Sequence, residues 1–119
     1  MHLDIAMNAT ALQEFKAGFF RALAHPIRIR ILETLGNGER SVQELQQALD
    51  LEQPIVSQQL AILRGKNVVT SRKVGTTVRY ALSDPLITKL LAVAREIFNN
   101  HLVDTQTMLK ALRREARRS

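Results

Sequence analysis

The chain has no cysteine at all. That removes disulfide staples, thiolate metal sites and thiol redox chemistry together. No apolar run is long enough to cross a bilayer, and the first residues, interrupted by Asp4, lack a secretory pattern. The expected location is therefore the cytosol. Proline is also scarce. Pro26, Pro54 and Pro85 are the only three, and each reads as a first-turn residue of a helix, where a missing N–H costs nothing. There is no Gly-rich phosphate loop, no nucleophile elbow and no His–carboxylate set at a useful spacing, so no catalytic residue and no cofactor is expected. With no repeat, low-complexity stretch or linker, the 119 residues read as a single domain.

A second absence is more informative. From Gln53 to Tyr80 there is no Asp or Glu, while Arg64, Lys66, Arg72, Lys73 and Arg79 fall inside the window. The net charge of +6 is unevenly spread: residues 1–60 hold 5 Lys/Arg against 7 Asp/Glu, residues 61–119 hold 12 against 4. A basic half points to a polyanionic partner, either nucleic acid or an anionic membrane. Lys110, Arg113, Arg114, Arg117 and Arg118 form a further basic cluster near the C-terminus. Its apolar side is only Met108, Leu109 and Leu112, thin for membrane anchoring. Residues 113–119 read as a solvated basic tail that frays.

Hydrophobic spacing predicts five helices. Leu12, Phe15, Phe19 and Leu23 make one stripe over residues 9–24, broadened by Phe20. Three of the four Phe residues lie there, more than a solvent-facing helix should expose, so the stripe packs on a second subunit or inside the monomer. A second helix begins at His25-Pro26, buries Ile27, Ile31, Leu32 and Leu35, and ends at Gly36-Asn37-Gly38. Arg30 is expected to pair with an acid or rest in solvent. Ser41-x-x-Glu44 is a capping box opening a third helix. After Asp50-Leu51-Glu52 a fourth helix runs from Gln53 to Gly65, with Val56, Leu60 and Leu63 inward. Residues 67–82 alternate β-branched and polar residues around Gly75 and predict a hairpin. The last helix, 84–112, carries two apolar stripes, more than one monomer face needs.

A short helix, a tight turn and a second helix with a Gln/Ser face read as a helix-turn-helix over residues 41–65. Gln and Ser side chains near a helix start can bond base edges or phosphates in a major groove. Gln53, Ser57 and Gln58 are spaced for that, with Arg64 on the same side. Arg72, Lys73 and Arg79 flank the Gly75 turn and are suited to phosphates or the minor groove. A solvated face with incidental bases is the plainer alternative.

The stretches LAHPIRIRILETL (Leu23–Leu35), SVQELQQAL (Ser41–Leu49), QPIVSQQLAILRGKNVV (Gln53–Val69) and SRKVGTTVRYAL (Ser71–Leu82) resemble the ArsR/SmtB family of winged-helix repressors. The resemblance covers residues 15–102. It implies a mainly α fold with a small β-hairpin: a winged helix-turn-helix of four helices, two strands and a last long helix. It implies a homodimer through the first and last helices, with Leu12, Phe15, Phe19, Leu90, Val93, Ile97 and His101 at the interface. It implies a double-stranded DNA operator, an inverted repeat, read by Gln53, Pro54, Ser57, Gln58, Gln59 and Arg64. The wing contacts it implies are Arg72, Lys73, Gly75, Thr76, Thr77 and Arg79. Family members often carry His where this chain has Gln59.

The family's metal sites are not matched. Ser41 and Gln43 stand where one site has its Cys-x-Cys; Asp84 is present for another, but Leu86, Ile97 and Asn100 replace its partners. His101 with Asp104, and His2 with Asp4, are two-ligand pairs that no third group is seen to complete. Two other readings stay open: a metal-sensing repressor with a non-standard site, and a winged-helix protein-interaction module that does not bind DNA. The effector candidates are a small molecule or anion at the dimer interface, a partner protein, or none.

Overall fold

The computed structural model describes residues 2–118, with side-chain surroundings from residue 9 to residue 118. The His2–Asp4 pair lies outside the described side chains. The elements are α1 (His2–Leu23), α2 (Pro26–Leu35), β1 (Arg40–Ser41), α3 (Val42–Leu49), α4 (Gln53–Gly65), β2 (Val69–Val74), β3 (Thr77–Leu82) and α5 (Leu86–Arg118). Residues up to Pro85 form one compact unit and α5 forms a second.

Local chemistry sets the helix ends in the first unit. His25 precedes α2, and its Nδ1 accepts from the Ile27 amide at 3.1 Å, with Pro26 in the first turn. Ser41 and Glu44 form the reciprocal capping box of α3: the Ser41 hydroxyl accepts from the Glu44 amide at 3.1 Å, and the Glu44 carboxylate accepts from the Ser41 amide at 2.9 Å. Asp50 closes α3 in the left-handed region at φ 53, a conformation Asp tolerates better than most residues, and so sets the tight turn into α4.

Ile31, Leu32, Leu45, Val56, Leu60, Leu63, Val68 and Val69 are fully buried, so α2, α3, α4 and β2 share one core. Burying each such side chain contributes roughly 1.5–3 kcal/mol. The helix-turn-helix is thus clamped from behind by apolar packing, which leaves its other side for function.

Two boundaries and one side-chain contact differ from expectation. The stripe predicted a start for the first helix at Ala9, but α1 begins at His2; an apolar stripe marks a buried face and not the last hydrogen-bonded turn. The basic tail, expected to fray, is helical to Arg118; Arg117 and Arg118 in the last turn complement the negative end of the helix dipole. Arg30 is exposed, in keeping with the solvent reading, but it is also tethered. Its Nη2 donates to the Leu49 carbonyl at 2.7 Å, satisfying an orphan acceptor at the end of α3.

The hairpin is also part of a larger sheet. β1, too short to read from sequence, pairs antiparallel with β3, giving the order β1-β3-β2. Gly75 makes the β2–β3 turn possible with φ +64, at the first of two turn residues, where a positive φ favours glycine. α5, taken by itself, is a 33-residue helix, and Ile87 is its one buried residue among those described. Val93, Ile97, Phe98, Leu102, Met108 and Leu112 are all exposed.

Candidate nucleic-acid interface

The start of α4 projects its polar residues outward. Gln53, Pro54, Gln58 and Arg64 are exposed and Ser57 is half-buried. Gln53 Nε2 donates to the Ser57 hydroxyl at 2.8 Å, one turn on. That bond fixes the two side chains relative to one another and leaves the Gln53 carbonyl oxygen and the Ser57 proton to meet another surface.

Gln59 departs from the expectation that it faces DNA. It is buried, and its Oε1 accepts from Arg28 Nη1 at 3.0 Å. The same guanidinium donates to the Ala22 carbonyl at 2.6 Å and the Arg21 carbonyl at 3.2 Å, at the end of α1. Gln59 is spent inside the fold, tying α4 to α1 through α2. Spacing alone could not separate it from Gln58, because its partner lies 31 residues away.

The wing also holds a residue that sequence reasoning missed. The β2–β3 register sets Arg72 directly opposite Arg79, a like-charge pair that is destabilising when uncompensated. Glu39, just before β1, lies against both. Its carboxylate accepts from Arg72 Nε at 2.7 Å and Arg72 Nη2 at 2.8 Å, a bidentate fork, and from Arg79 Nε at 3.4 Å. Arg79 also donates to Glu44 at 3.0 Å and to the Glu39 carbonyl at 3.1 Å. The side chain of Arg79 is only 28% exposed, that of Arg72 63%. The window is free of acids along the chain, but the sheet brings two acids to it. β1, at two residues, leaves no period in the sequence that would have revealed this.

These contacts set the protonation of the acids. The Arg72 hydrogen bonds hold the Glu39 carboxyl below its usual 4.5, against an opposing effect of desolvation, and the Ser41 amide does the same for Glu44, with Arg79 assisting. Arg72 is pushed up in turn by Glu39. Lys73, Thr76 and Thr77, with Gly75, are exposed at the hairpin tip, and no ion pair involving Lys73 occurs among the described residues.

Among the residues expected at a dimer interface, Leu12 and Phe15 on α1 are exposed and Phe19 is half-buried, edge-on to Phe20 at 5.7 Å. Phe15, Phe19, Arg21 and Lys66 border an open groove of about 500 Å³ between α1 and the turn after α4. On α5, Val93, Ile97 and His101 are exposed and Leu90 half-buried. Among the described residues, no three His, Asp or Glu side chains converge as a metal ion would need, and no helix is long and apolar enough to cross a membrane.

Comparison with known proteins agrees with this geometry. The family model for bacterial regulatory proteins of the arsR family matches residues 25–71. The uncharacterized HTH-type transcriptional regulator Rv0081 of Mycobacterium tuberculosis is 44% identical over 108 residues, 90% of this chain and 95% of the relative. Its crystal structure aligns with a TM-score of 0.72 at 46% identity, covering 79% of this chain and 95% of that one. A biofilm growth-associated repressor of Agrobacterium fabrum is 38% identical over 66% of this chain and 67% of its own length. The solution structure of a homodimeric winged helix-turn-helix DNA-binding domain from Mycobacterium bovis, of a possible ArsR-family regulator, aligns with a TM-score of 0.73 at 28% identity over 80% of this chain and 88% of that one. Helix-turn-helix, wing and relatives agree, and the chain belongs to the arsR family of bacterial transcriptional regulators, not to a family of enzymes.

Proposed function

We propose that the protein is a cytoplasmic, homodimeric repressor that binds an inverted-repeat operator in double-stranded DNA. The observation that carries this reading is the outward polar start of α4, Gln53, Ser57 and Gln58, on a helix held from behind by a fully buried core. In this reading α4 enters the major groove, with Gln58 and the Gln53–Ser57 pair addressing base edges and Arg64 the backbone. Lys73 and Arg72 at the wing meet phosphate, and Arg79, bonded to Glu39 and Glu44, braces β3 beside them. A two-fold dimer sets two such helices about 34 Å apart, one turn of duplex. The repressors and the homodimeric DNA-binding domain among the relatives support the same assignment.

Footprinting on the region upstream of the protein's own gene tests it. The expected result is protection of an inverted repeat, lost at one base-pair position per half-site in Gln58→Ala. Equal affinity for every duplex, unchanged by Gln58→Ala, would remove α4 as the reader. Salt-insensitive retention of a protein partner with no duplex binding would favour an interaction module instead.

A further inference from the structure

We propose that the Arg72–Arg79 pair is a phosphate-binding site that Glu39 occupies in the free protein, and that a DNA backbone phosphate displaces the Glu39 carboxylate from Arg72. The inference rests on the DNA-binding reading and adds a competitor to it.

Three observations carry it. First, the sheet register places two guanidinium groups opposite one another, so an anion between them is favoured whether or not DNA is present. Second, the carboxylate that fills the place takes Arg72 through two parallel bonds of 2.7 and 2.8 Å. That planar fork is the geometry in which arginine also grips phosphate. Third, the two arginines differ in access. Arg79 is held by Glu44 and by the Glu39 backbone carbonyl as well as the carboxylate, and is mostly covered. Arg72 has Glu39 as its one side-chain partner in the described structure and is mostly exposed. A phosphate can reach Arg72 and leave Arg79 in place as the strut that keeps the strand seated. Glu39 stays ionised throughout the neutral range, since its carboxyl is held below 4.5, so the competition is constant and not a pH switch.

The consequence is a tax on sequence-independent binding. Until the exchange occurs, Arg72 contributes no net charge towards the duplex, and the wing's uncompensated cation is Lys73. Non-specific affinity is thereby restrained, while an operator that seats α4 presents a phosphate to the wing at high local concentration.

The experiment measures affinity for a random-sequence duplex as a function of salt, for wild type, Glu39→Gln, Arg72→Ala and the double variant. Thermal unfolding checks that each is folded. If Glu39 competes with phosphate, Glu39→Gln binds about two- to fivefold tighter, the size expected when an exposed ion pair no longer opposes binding. Its slope of log affinity against log salt steepens by about 0.9, one phosphate. Arg72→Ala abolishes both gains. The Arg72 Nε resonance should shift on duplex addition while that of Arg79 stays. Weaker binding or an unchanged slope in a folded Glu39→Gln overturns the inference, since a structural brace would give that result. Absence of any duplex binding by wild type overturns the functional reading and this inference with it; wild-type binding with an unaltered variant slope overturns this inference alone.

Discussion

Arg28 holds Gln59 from within: its Nη1 donates to Gln59 Oε1 at 3.0 Å while its Nε donates to the Ala22 carbonyl at 2.6 Å. One guanidinium therefore satisfies a helix end on α1 and a buried amide on α4. The adjacent Gln58 is exposed. Two neighbouring glutamines on one helix thus have opposite duties, one internal and one outward.

Substituting them separates the duties. Gln59→Ala strands the Arg28 Nη1 donor and is expected to cost about 1–3 kcal/mol of stability. Gln58→Ala removes an exposed side chain and should stay within about 0.5 kcal/mol. DNA binding should show the reverse order: Gln58→Ala loses about 1–3 kcal/mol of discrimination at one base pair, while Gln59→Ala, measured where it is folded, keeps it. Urea unfolding and operator titrations on both variants decide the matter. A Gln59→Ala that is fully stable but blind to the operator would reverse the assignment.

Gly75 gives a second test, of the wing. Its φ is +64, and nothing lies within 4 Å of where a Cβ would stand. A side chain there meets strain and no clash. Gly75→Ala should therefore cost roughly 1 kcal/mol through the left-handed backbone, and Gly75→Asn less, because Asn tolerates that region. Thermal unfolding gives the ranking, and amide exchange in β2 and β3 should rise more in the alanine variant. Equal destabilisation by both would point to a steric cause that the open space around Gly75 denies.

Much of this architecture could be read before folding was considered. The period of Val56, Leu60 and Leu63, the Ser41–Glu44 capping box and the first-turn prolines Pro26 and Pro54 are local signals, and each marks an element that forms; Pro85 instead stands just ahead of α5, which begins at Leu86. The sites were less legible wherever a side chain's role depends on a distant partner. Glu39 meets Arg72 and Arg79 only because β1 pairs with β3, at separations of 33 and 40 residues. Gln59 turns inward only because α2 carries Arg28 past it. Arg30 is the surface charge it reads as, but its bond to the Leu49 carbonyl was illegible, because every residue offers a backbone acceptor.

Acid should loosen the wing before the core. Glu39 and Glu44 both titrate below 4.5 in the folded protein, so near that pH the unfolded chain binds more protons than the native one. Their stabilisation is complete above 4.5 and is lost as pH falls through the lower folded values. Unfolding midpoints between about pH 6 and pH 3 should show the decline, with β2 and β3 amides losing protection first. Glu44→Gln keeps an acceptor for the Ser41 amide and lacks the titration, so its acid limb should be shallower than wild type. An identical acid limb would assign the acid loss to other carboxylates.

Apolar exposure on α1 and α5 bears on the dimer. Phe15 is 68% exposed and Ile97 is 59% exposed, so neither supports the fold of a lone chain, and a charge at either position should leave the monomer core intact. If these faces meet a second copy, burying a glutamate there removes an apolar anchor and adds an unpaired charge. Loss of a central anchor costs at least about 2 kcal/mol, roughly 30-fold in dimer dissociation constant. Sedimentation equilibrium on Phe15→Glu and Ile97→Glu should show that weakening. Val74→Glu, a change of the same kind on an exposed wing residue, should leave the dimer as it was. Operator affinity should fall with dimerisation in the first two variants, because two half-sites one turn apart are held together only by the dimer. An unchanged dimer in both variants would move the interface to another surface.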